Sequence, residues 1–302
     1  MRVLITGAGG FIGSHLICKF QEKGFICEGW GRQALADTLF SYKQINLCNR
    51  ESVEISLGQF EPDIIVHCAG NADVGSSVLL PEADFDSNVA GTHNLLFSMQ
   101  KQKLQKKRFV FLSSAAVYGN PEVLPVREDA GKKPLSPYAL HKQMCEDICF
   151  YFMKNFDFDI KIARIFSAYG GGLRKQIFWD MANKARYFQK LEMFGSGTET
   201  RDFIHIDDLV EILYLICIQQ FEESVLNIAN GRGVAIKQVA ELFAEKYGLG
   251  RNKVWFTGKV KMENPVKWEA DISKIMALGY RQKVSLEEGI HKYVNWVLQL
   301  KE

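Results

Sequence analysis

The sequence predicts an α/β protein with a doubly wound parallel sheet and a smaller, mostly C-terminal α/β lobe. Three observations predict it. Short β-branched runs alternate with amphipathic helical stretches through the first half of the chain, the pattern of parallel strands joined by crossover helices. A glycine triplet, Gly7, Gly10 and Gly13, falls directly between the first strand and the first helix. After Ser167 the alternation loosens into glycine-rich segments and separate helices. The sheet is therefore assigned to residues 1–167, rejoined by parts of 200–230, and the lobe to 168–302.

RVLIT (2–6) opens the sheet and a helix near 11–23 follows it. FICEGW (25–30) precedes a helix near 50–58, and DIIVH (63–67) precedes a helical stretch near 82–101. RFVFLS (108–113) leads to a helix near 137–154, and DIKIARIF (159–166) closes the alternating half. In the lobe, helices are expected near 176–189, 208–219, 236–247 and 285–298. Ligands of open α/β sheets bind outside the carboxyl ends of the strands, and the lobe is expected to pack on that edge.

The 302 residues are 47% hydrophobic and carry a net charge of +2 with both signs interspersed. That balance argues against a nucleic-acid binder, which would show a basic stripe. The longest late apolar run, LVEILYLICI (209–218), is interrupted by Glu211 and is too short to span a bilayer. No apolar signal segment precedes the first strand, so no membrane partner is expected. The seven cysteines are scattered, odd in number and without a CxxC pair. They read as buried hydrophobes of a reducing, cytoplasmic protein, and no metal site is expected.

Glycines at positions 7, 10 and 13 let the chain turn tightly and approach a pyrophosphate at a helix N-terminus. This is the Rossmann-type dinucleotide fingerprint. The end of the second strand, CEGWGRQ (27–33), decides which dinucleotide. Arg32 could fork onto a ribose 2′-phosphate and lie on the adenine, which favours NADP(H). NAD(H) is the alternative, with Glu28 in the ribose role.

GAGGFIG (7–13), HCAG (67–70), NVAGTHNLL (88–96), SSAAVYG (113–119), YALHK (138–142) and RDFIHIDD (201–208) follow in this order. With them the chain resembles the extended short-chain dehydrogenase/reductases, the nucleotide-sugar epimerase, dehydratase and reductase family. The likeness runs to LGYRQKVSLEEGI (278–290). It implies a nicotinamide dinucleotide held by the glycine turn with Phe11 and Ile12, by Arg32, Asn46, Leu47, Ala69 and Ile165, and by Tyr138 and Lys142. It implies a nucleoside-diphosphate sugar contacted by Asn88, Ser114, Ser167, Gln176 and Arg201. It further implies a homodimer formed through the helices near 82–101 and 137–154.

Within that resemblance, Ser114, Tyr138 and Lys142 are the catalytic residues. Tyr138 and Lys142 are four apart and share a helix face. Tyr138 is expected to move a proton, with the Lys142 ammonium and an oxidised nicotinamide ring favouring its phenolate, while Ser114 holds the sugar oxygen. His141 is assigned to another helix face and left out. Asn88 reads either as a helix cap or as the family's residue beside the active-site helix. Arg201 reads as a diphosphate contact or as an ion-pair partner of Asp202 or Asp207. Arg174, Lys175 and Lys267 are further candidates for the sugar-nucleotide pocket.

Ala115 and Ala116 narrow the chemistry. Relatives that dehydrate a sugar across C5–C6 carry an acid and a base directly after the Ser/Thr, and elimination requires both. Two alanines supply neither, which leaves hydride and proton exchange at one carbon. The expectation is NADPH-dependent reduction of a nucleoside-diphosphate 4-keto-(6-deoxy)sugar, with an NAD-dependent 4-epimerase as the alternative. A cofactor-sensing binding protein is a third class, opposed by the intact Ser114, Tyr138 and Lys142.

Overall fold

The computed structural model describes residues 1–35, 38, 40–259 and 265–300. They fall into two compact units. The first comprises Met1–Val117, Ser136–Ile165 and Val210–Leu226, and the second Tyr118–Leu135, Phe166–Leu209 and Asn227–Glu302.

The first unit begins with β1 (Arg2–Thr6), α1 (Phe11–Glu22), β2 (Ile26–Gly31) and β3 (Ser41–Gln44). It continues through α2 (Arg50–Phe60), β4 (Ile64–His67), α3 (Val74–Leu79), α4 (Pro81–Phe85), a π-helical turn (Asp86–Ala90) and α5 (Gly91–Lys101). Then come β5 (Arg108–Ser114), a 3₁₀ turn (Ala115–Tyr118), α6 (Pro137–Phe156) and β6 (Ile160–Ile165). Across the chain there follow β7 (Ser167–Tyr169), α7 (Gln176–Phe188), β8 (Leu191–Met193) and β9 (Thr200–His205). After these run α8 (Ile206–Ile218), β10 (Val225–Ile228), β11 (Gly233–Ala235), α9 (Ile236–Tyr247), β12 (Val254–Phe256), α10 (Ser273–Ala277) and α11 (Leu286–Gln299).

The large sheet has the strand order β10-β6-β5-β4-β1-β2-β3. Its β1–β2, β1–β4, β2–β3, β4–β5 and β5–β6 pairs are all parallel. Strands covered on both faces need continuous apolar runs, and β1, β4, β5 and β6 are buried along nearly their whole length. Leu4, Trp30, Ile65, Phe109, Phe111 and Ile162 belong to one core cluster. The chain order reverses between β1 and β4, the switch point at which such sheets bind ligands. The five expected strands form within about two residues of their predicted limits. β3 was not expected, because SYKQ has no apolar alternation and only two half-buried residues.

In the second unit, β11, β9 and β7 form a three-stranded sheet and β12 pairs with β8. Asp202 anchors it: its buried carboxylate accepts the main-chain N–H of Asn230 (2.9 Å), Arg232 (3.0 Å) and Ala270 (3.1 Å).

Candidate active site

The turn after β1 is shaped by contacts that exclude a Cβ. Gly7 has φ +69°, and a Cβ there would lie 2.7 Å from Ala69 N. At Gly13 a Cβ would press on the Gly7 carbonyl and stand 2.9 Å from Ala8 Cα. Gly10 caps α1 without a side-chain bond, and the first turn holds no acid. The α1 N-terminus therefore offers main-chain N–H groups and a positive dipole end beside exposed Gly9 and Gly10. That donor set fits a dinucleotide pyrophosphate. Phe11 and Ile12 are half-buried in the same turn, and Ile165 is buried at the end of β6.

At the ends of β2 and β3 the residues divide. Arg32 is exposed, and its carbonyl accepts from Gln44 Nε2 at 3.1 Å. Glu28 is buried, accepts the Trp30 indole N–H at 2.8 Å and lies 3.4 Å from Lys43 Nζ. The ribose role considered for Glu28 is therefore corrected: its carboxylate is spent between β2 and β3. Asn46 is exposed, with Oδ1 on the Cys48 N–H at 3.1 Å, while Leu47 is buried.

β5 delivers two serines with opposite fates, because successive side chains alternate in direction. Ser113 donates to Glu146 Oε1 at 2.6 Å, and Arg164 forks onto that carboxylate at 2.9 and 2.8 Å. Ser114 is half-buried, accepts the Ala116 N–H at 3.2 Å and lies close enough to the Tyr138 phenol to favour its anion. α6 begins where it must. Ser136 accepts the Ala139 N–H, Pro137 fills the first helical position, and a cap of this kind contributes about 1 kcal/mol.

Tyr138 and Lys142 emerge on one buried face of α6. Lys142 Nζ donates to the Leu112 carbonyl at 3.0 Å and sits 5.0 Å from the Phe111 ring centre. Burial pulls the ammonium down from its ordinary range. It also pushes the Tyr138 phenol up to about 12, outweighing the Ser114 hydrogen bond that lowers it. In the protein alone Tyr138 is therefore a phenol at neutral pH. Forming its anion costs about 3 kcal/mol more than in water, a cost that a cation bound beside it would offset.

Two further expectations change. Asn88 is not a cap but lies inside the π-helical turn, where Nδ2 donates to Asp84 O (3.1 Å) and Asn71 O (3.3 Å). Its buried Oδ1 has no hydrogen-bond partner among the described residues. His141 does not point away from Tyr138: it is buried, with Nδ1 2.6 Å from Asp84 Oδ2. His67 of HCAG is structural. Its ring bridges Thr6 Oγ1 (2.7 Å) and Thr92 Oγ1 (3.0 Å), and burial pulls it down to about 3, so it stays neutral.

Residues 3–229 match the model of the NAD dependent epimerase/dehydratase family. The chain belongs to that family. Among family members, a UDP-glucuronate 4-epimerase of Thermodesulfobacterium geofontis is 29% identical over 312 residues, covering 97% of this chain and 95% of the relative. The structure of a Thermotoga maritima UDP-glucose 4-epimerase with UDP-glucose superimposes with a TM-score of 0.91 at 26% identity, over 99% of both chains. A Bacillus cereus UDP-glucuronic acid 4-epimerase, in complex with UDP-glucuronic acid and NAD, gives 0.90 at 27% identity over 100% of both.

The remaining candidates of this epimerase/dehydratase chain lie in the second unit. Ser167 opens β7 and is half-buried. Gln176 opens α7, is exposed and has φ +61°, a left-handed conformation that costs a non-glycine residue about 1–2 kcal/mol. Arg201 Nη1 donates to the Thr200 carbonyl at 2.8 Å, and its guanidinium lies 5.3 Å from the Trp268 ring centre. Asp202 and Asp207, its suggested ion-pair partners, are engaged elsewhere: Asp202 with main-chain donors and Asp207 with Lys292 at 3.4 Å. Among the described residues no carboxylate is in ion-pair distance of Arg201; burial pulls it down to about 10, and the Glu199 carboxylate offsets this only in part. Lys267 and Lys175 are exposed, and Arg174 stands 5.9 Å and 6.0 Å from the rings of Trp179 and Trp296.

Proposed function

We propose that the chain is a nucleotide-sugar 4-epimerase that retains an NAD for its own use. The observation that carries this reading is the make-up of the site in the first unit. Ser114, Tyr138 and Lys142 stand together, and Ala115, Ala116 and Val117 bring no further group that can move a proton. Inversion at C4 needs none. Similarity to 4-epimerases across the whole chain supports it.

Ser114 would hold the C4 hydroxyl of the sugar and Tyr138 would take its proton, returning it to the same oxygen when the opposite configuration forms. When bound on Gly7, Gly10 and Gly13, an oxidised nicotinamide dinucleotide supplies the hydride acceptor and a positive charge. That charge and the Lys142 ammonium favour the Tyr138 phenolate, against the burial that opposes it. Lys142 is held for this by the Leu112 carbonyl. Arg201, with no carboxylate of its own, suits the substrate diphosphate.

The ketoreductase first expected from Arg32 is the weaker reading. Arg32 is the single residue that favours NADP, and the Bacillus cereus epimerase complex contains NAD. The deciding experiment is to denature the purified protein, identify any released dinucleotide by mass, and incubate the intact protein with UDP-glucose and UDP-glucuronate without added cofactor. Co-purified NAD and conversion of either sugar to its 4-epimer are expected. Empty sites, with turnover only of a 4-keto-sugar nucleotide plus NADPH, would return the function to ketoreductase.

A homodimer through α5 and α6 belongs to the same proposal. Along α6, Leu140, Met144, Ile148 and Tyr151 form a partly exposed apolar stripe, with Tyr151 57% exposed. Beside it Phe97, Ile148, Tyr151 and Phe156 line a groove of about 410 Å³. Sequestering such a stripe from water is a common reason for two copies to pair.

A further inference from the structure

We propose that Asp84 and His141 are positioning residues for Tyr138 and Lys142, a buried acid–imidazole pair that fixes the first turn of α6 and supplies the negative charge facing it. The proposal rests on the epimerase reading only in taking Tyr138 as the group that moves the proton.

Tyr138, His141 and Lys142 are spaced i, i+3 and i+4, so they occupy one helix face. His141 Nδ1 lies 2.6 Å from Asp84 Oδ2, and Asn71 Nδ2 donates to Asp84 Oδ1 at 2.8 Å. An ionised carboxylate can only accept, so opposite the Asp84 carboxylate the His141 Nδ1 is the donor. The Asp84 side chain is 0% exposed. A second tie holds the same turn, because the Tyr138 N–H donates to the buried Ser77 Oγ at 3.1 Å. Asn88 Nδ2 joins the Asp84 and Asn71 carbonyls. The first turn of α6 is thereby fastened to α3, α4 and the segment after β4 by hydrogen bonds shielded from water, where each is worth most.

A carboxylate taken wholly out of water costs several kcal/mol, and a helix turn can be anchored more cheaply by apolar packing. The charge itself therefore needs an account. Tyr138 is acted on by Ser114 of β5, Asp84 of α4 and Cys145 of α6. Lys142 is acted on by Asp84, by Cys145 and Cys149 of α6, and by Cys68 after β4, and it in turn bears on His67 of β4. Burial holds the three thiols protonated and His67 neutral. Asp84 is what remains to balance the Lys142 ammonium, and the same charge opposes a Tyr138 phenolate. Burial holds Tyr138 protonated, and the Asp84 charge adds to that until a positive group arrives beside it.

The test is a titration of tyrosinate absorbance in the NAD-loaded protein, with Tyr138→Phe subtracted to isolate Tyr138. Asp84→Asn is expected to move the Tyr138 ionisation about one pH unit lower. It should also lower kcat about ten-fold, with KM for the UDP-sugar changed by less than about two-fold. His141→Leu should lower kcat similarly, and His141→Asn, which keeps an N–H for Asp84, should recover most of the loss. A Tyr138 titration unmoved by Asp84→Asn overturns the proposal. If Asp84→Asn does not fold, equal kcat values for His141→Leu and His141→Asn overturn it instead. Turnover surviving in Tyr138→Phe would sink the role of Tyr138, a separate result that leaves the titration readable.

Discussion

Ser113 Oγ lies 2.6 Å from Glu146 Oε1, and Arg164 grips the same carboxylate from β6. The adjacent Ser114 turns instead to Tyr138. Replacing each serine by alanine should therefore give opposite phenotypes. Ser113→Ala removes a hydrogen bond to a buried charge and should cost about 1–3 kcal/mol of stability, with kcat nearly unchanged. Ser114→Ala should leave the denaturation midpoint in place and lower kcat roughly 100-fold. Urea unfolding and steady-state kinetics on the two variants decide it.

Gly13→Ala places a methyl group against the Gly7 carbonyl and Ala8 Cα. The turn must open to admit it, at a cost of about 1–3 kcal/mol. The expected result is a protein that purifies without dinucleotide and melts at a lower temperature. Full NAD content in this variant would show that the cofactor does not rest on this turn.

Burial holds Tyr138 up at about 12, against an ordinary value of 10.0. A folded-state value raised above the unfolded one contributes stability that is fully present below pH 10 and lost as pH rises through about 12. Alkaline unfolding of the emptied protein should accordingly begin at higher pH in Tyr138→Phe. Oxidised NAD should draw the Tyr138 ionisation to lower pH, and NADH should not, because only the oxidised ring carries the positive charge.

Arg201 has no carboxylate partner among the described residues and is braced on Trp268. Arg201→Ala should raise KM for the UDP-sugar roughly 10–100-fold, the value of a charge-assisted hydrogen bond, with little change in kcat. Arg201→Lys should recover only part of this, since a lysine cannot reproduce the planar fork. Wild-type KM in Arg201→Ala would remove this residue from the substrate site.

Tyr151 is 57% exposed on the apolar stripe of α6. Tyr151→Glu should convert a dimer to monomers in sedimentation velocity, without loss of secondary structure. A wild-type chain that already sediments as a monomer at micromolar concentration would refute the dimer proposal.

Much of this was legible in the sequence because periodicity and spacing record backbone geometry. The glycines of the first turn, the buried strands and the Tyr138–Lys142 face all follow from local rules. Asp84 and His141 were missed because their meeting joins residues 57 apart. The spacing of three between Tyr138 and His141 was nonetheless a signal that the two share a face. For Glu28 the distance from the strand end was visible, but its capture by Trp30 was not. How far burial raises the Tyr138 phenol was not legible, since composition gives no measure of burial at one atom. The preference for NADP rested on a single arginine, Arg32, exposed after β2.

The large sheet is completed late. β10 lies beside β6, and the Ile162 N–H donates to the Ser224 carbonyl at 2.7 Å. Yet β10 and most of α8 are synthesised only after β6 through β9 and α7 have been made. At ribosomal rates of about 5–20 residues per second, roughly 3–12 seconds separate Ile165 from Leu226. For that interval the nascent chain carries the β6 edge, four apolar residues interrupted by Lys161 and Arg164 with unpaired main-chain groups, and such an edge invites pairing with another chain. Chaperone dependence and loss to aggregates during overexpression should therefore be governed by this window, and a chain truncated near residue 200 should collect in inclusion bodies even though its glycine turn, Ser114, Tyr138 and Lys142 are all present.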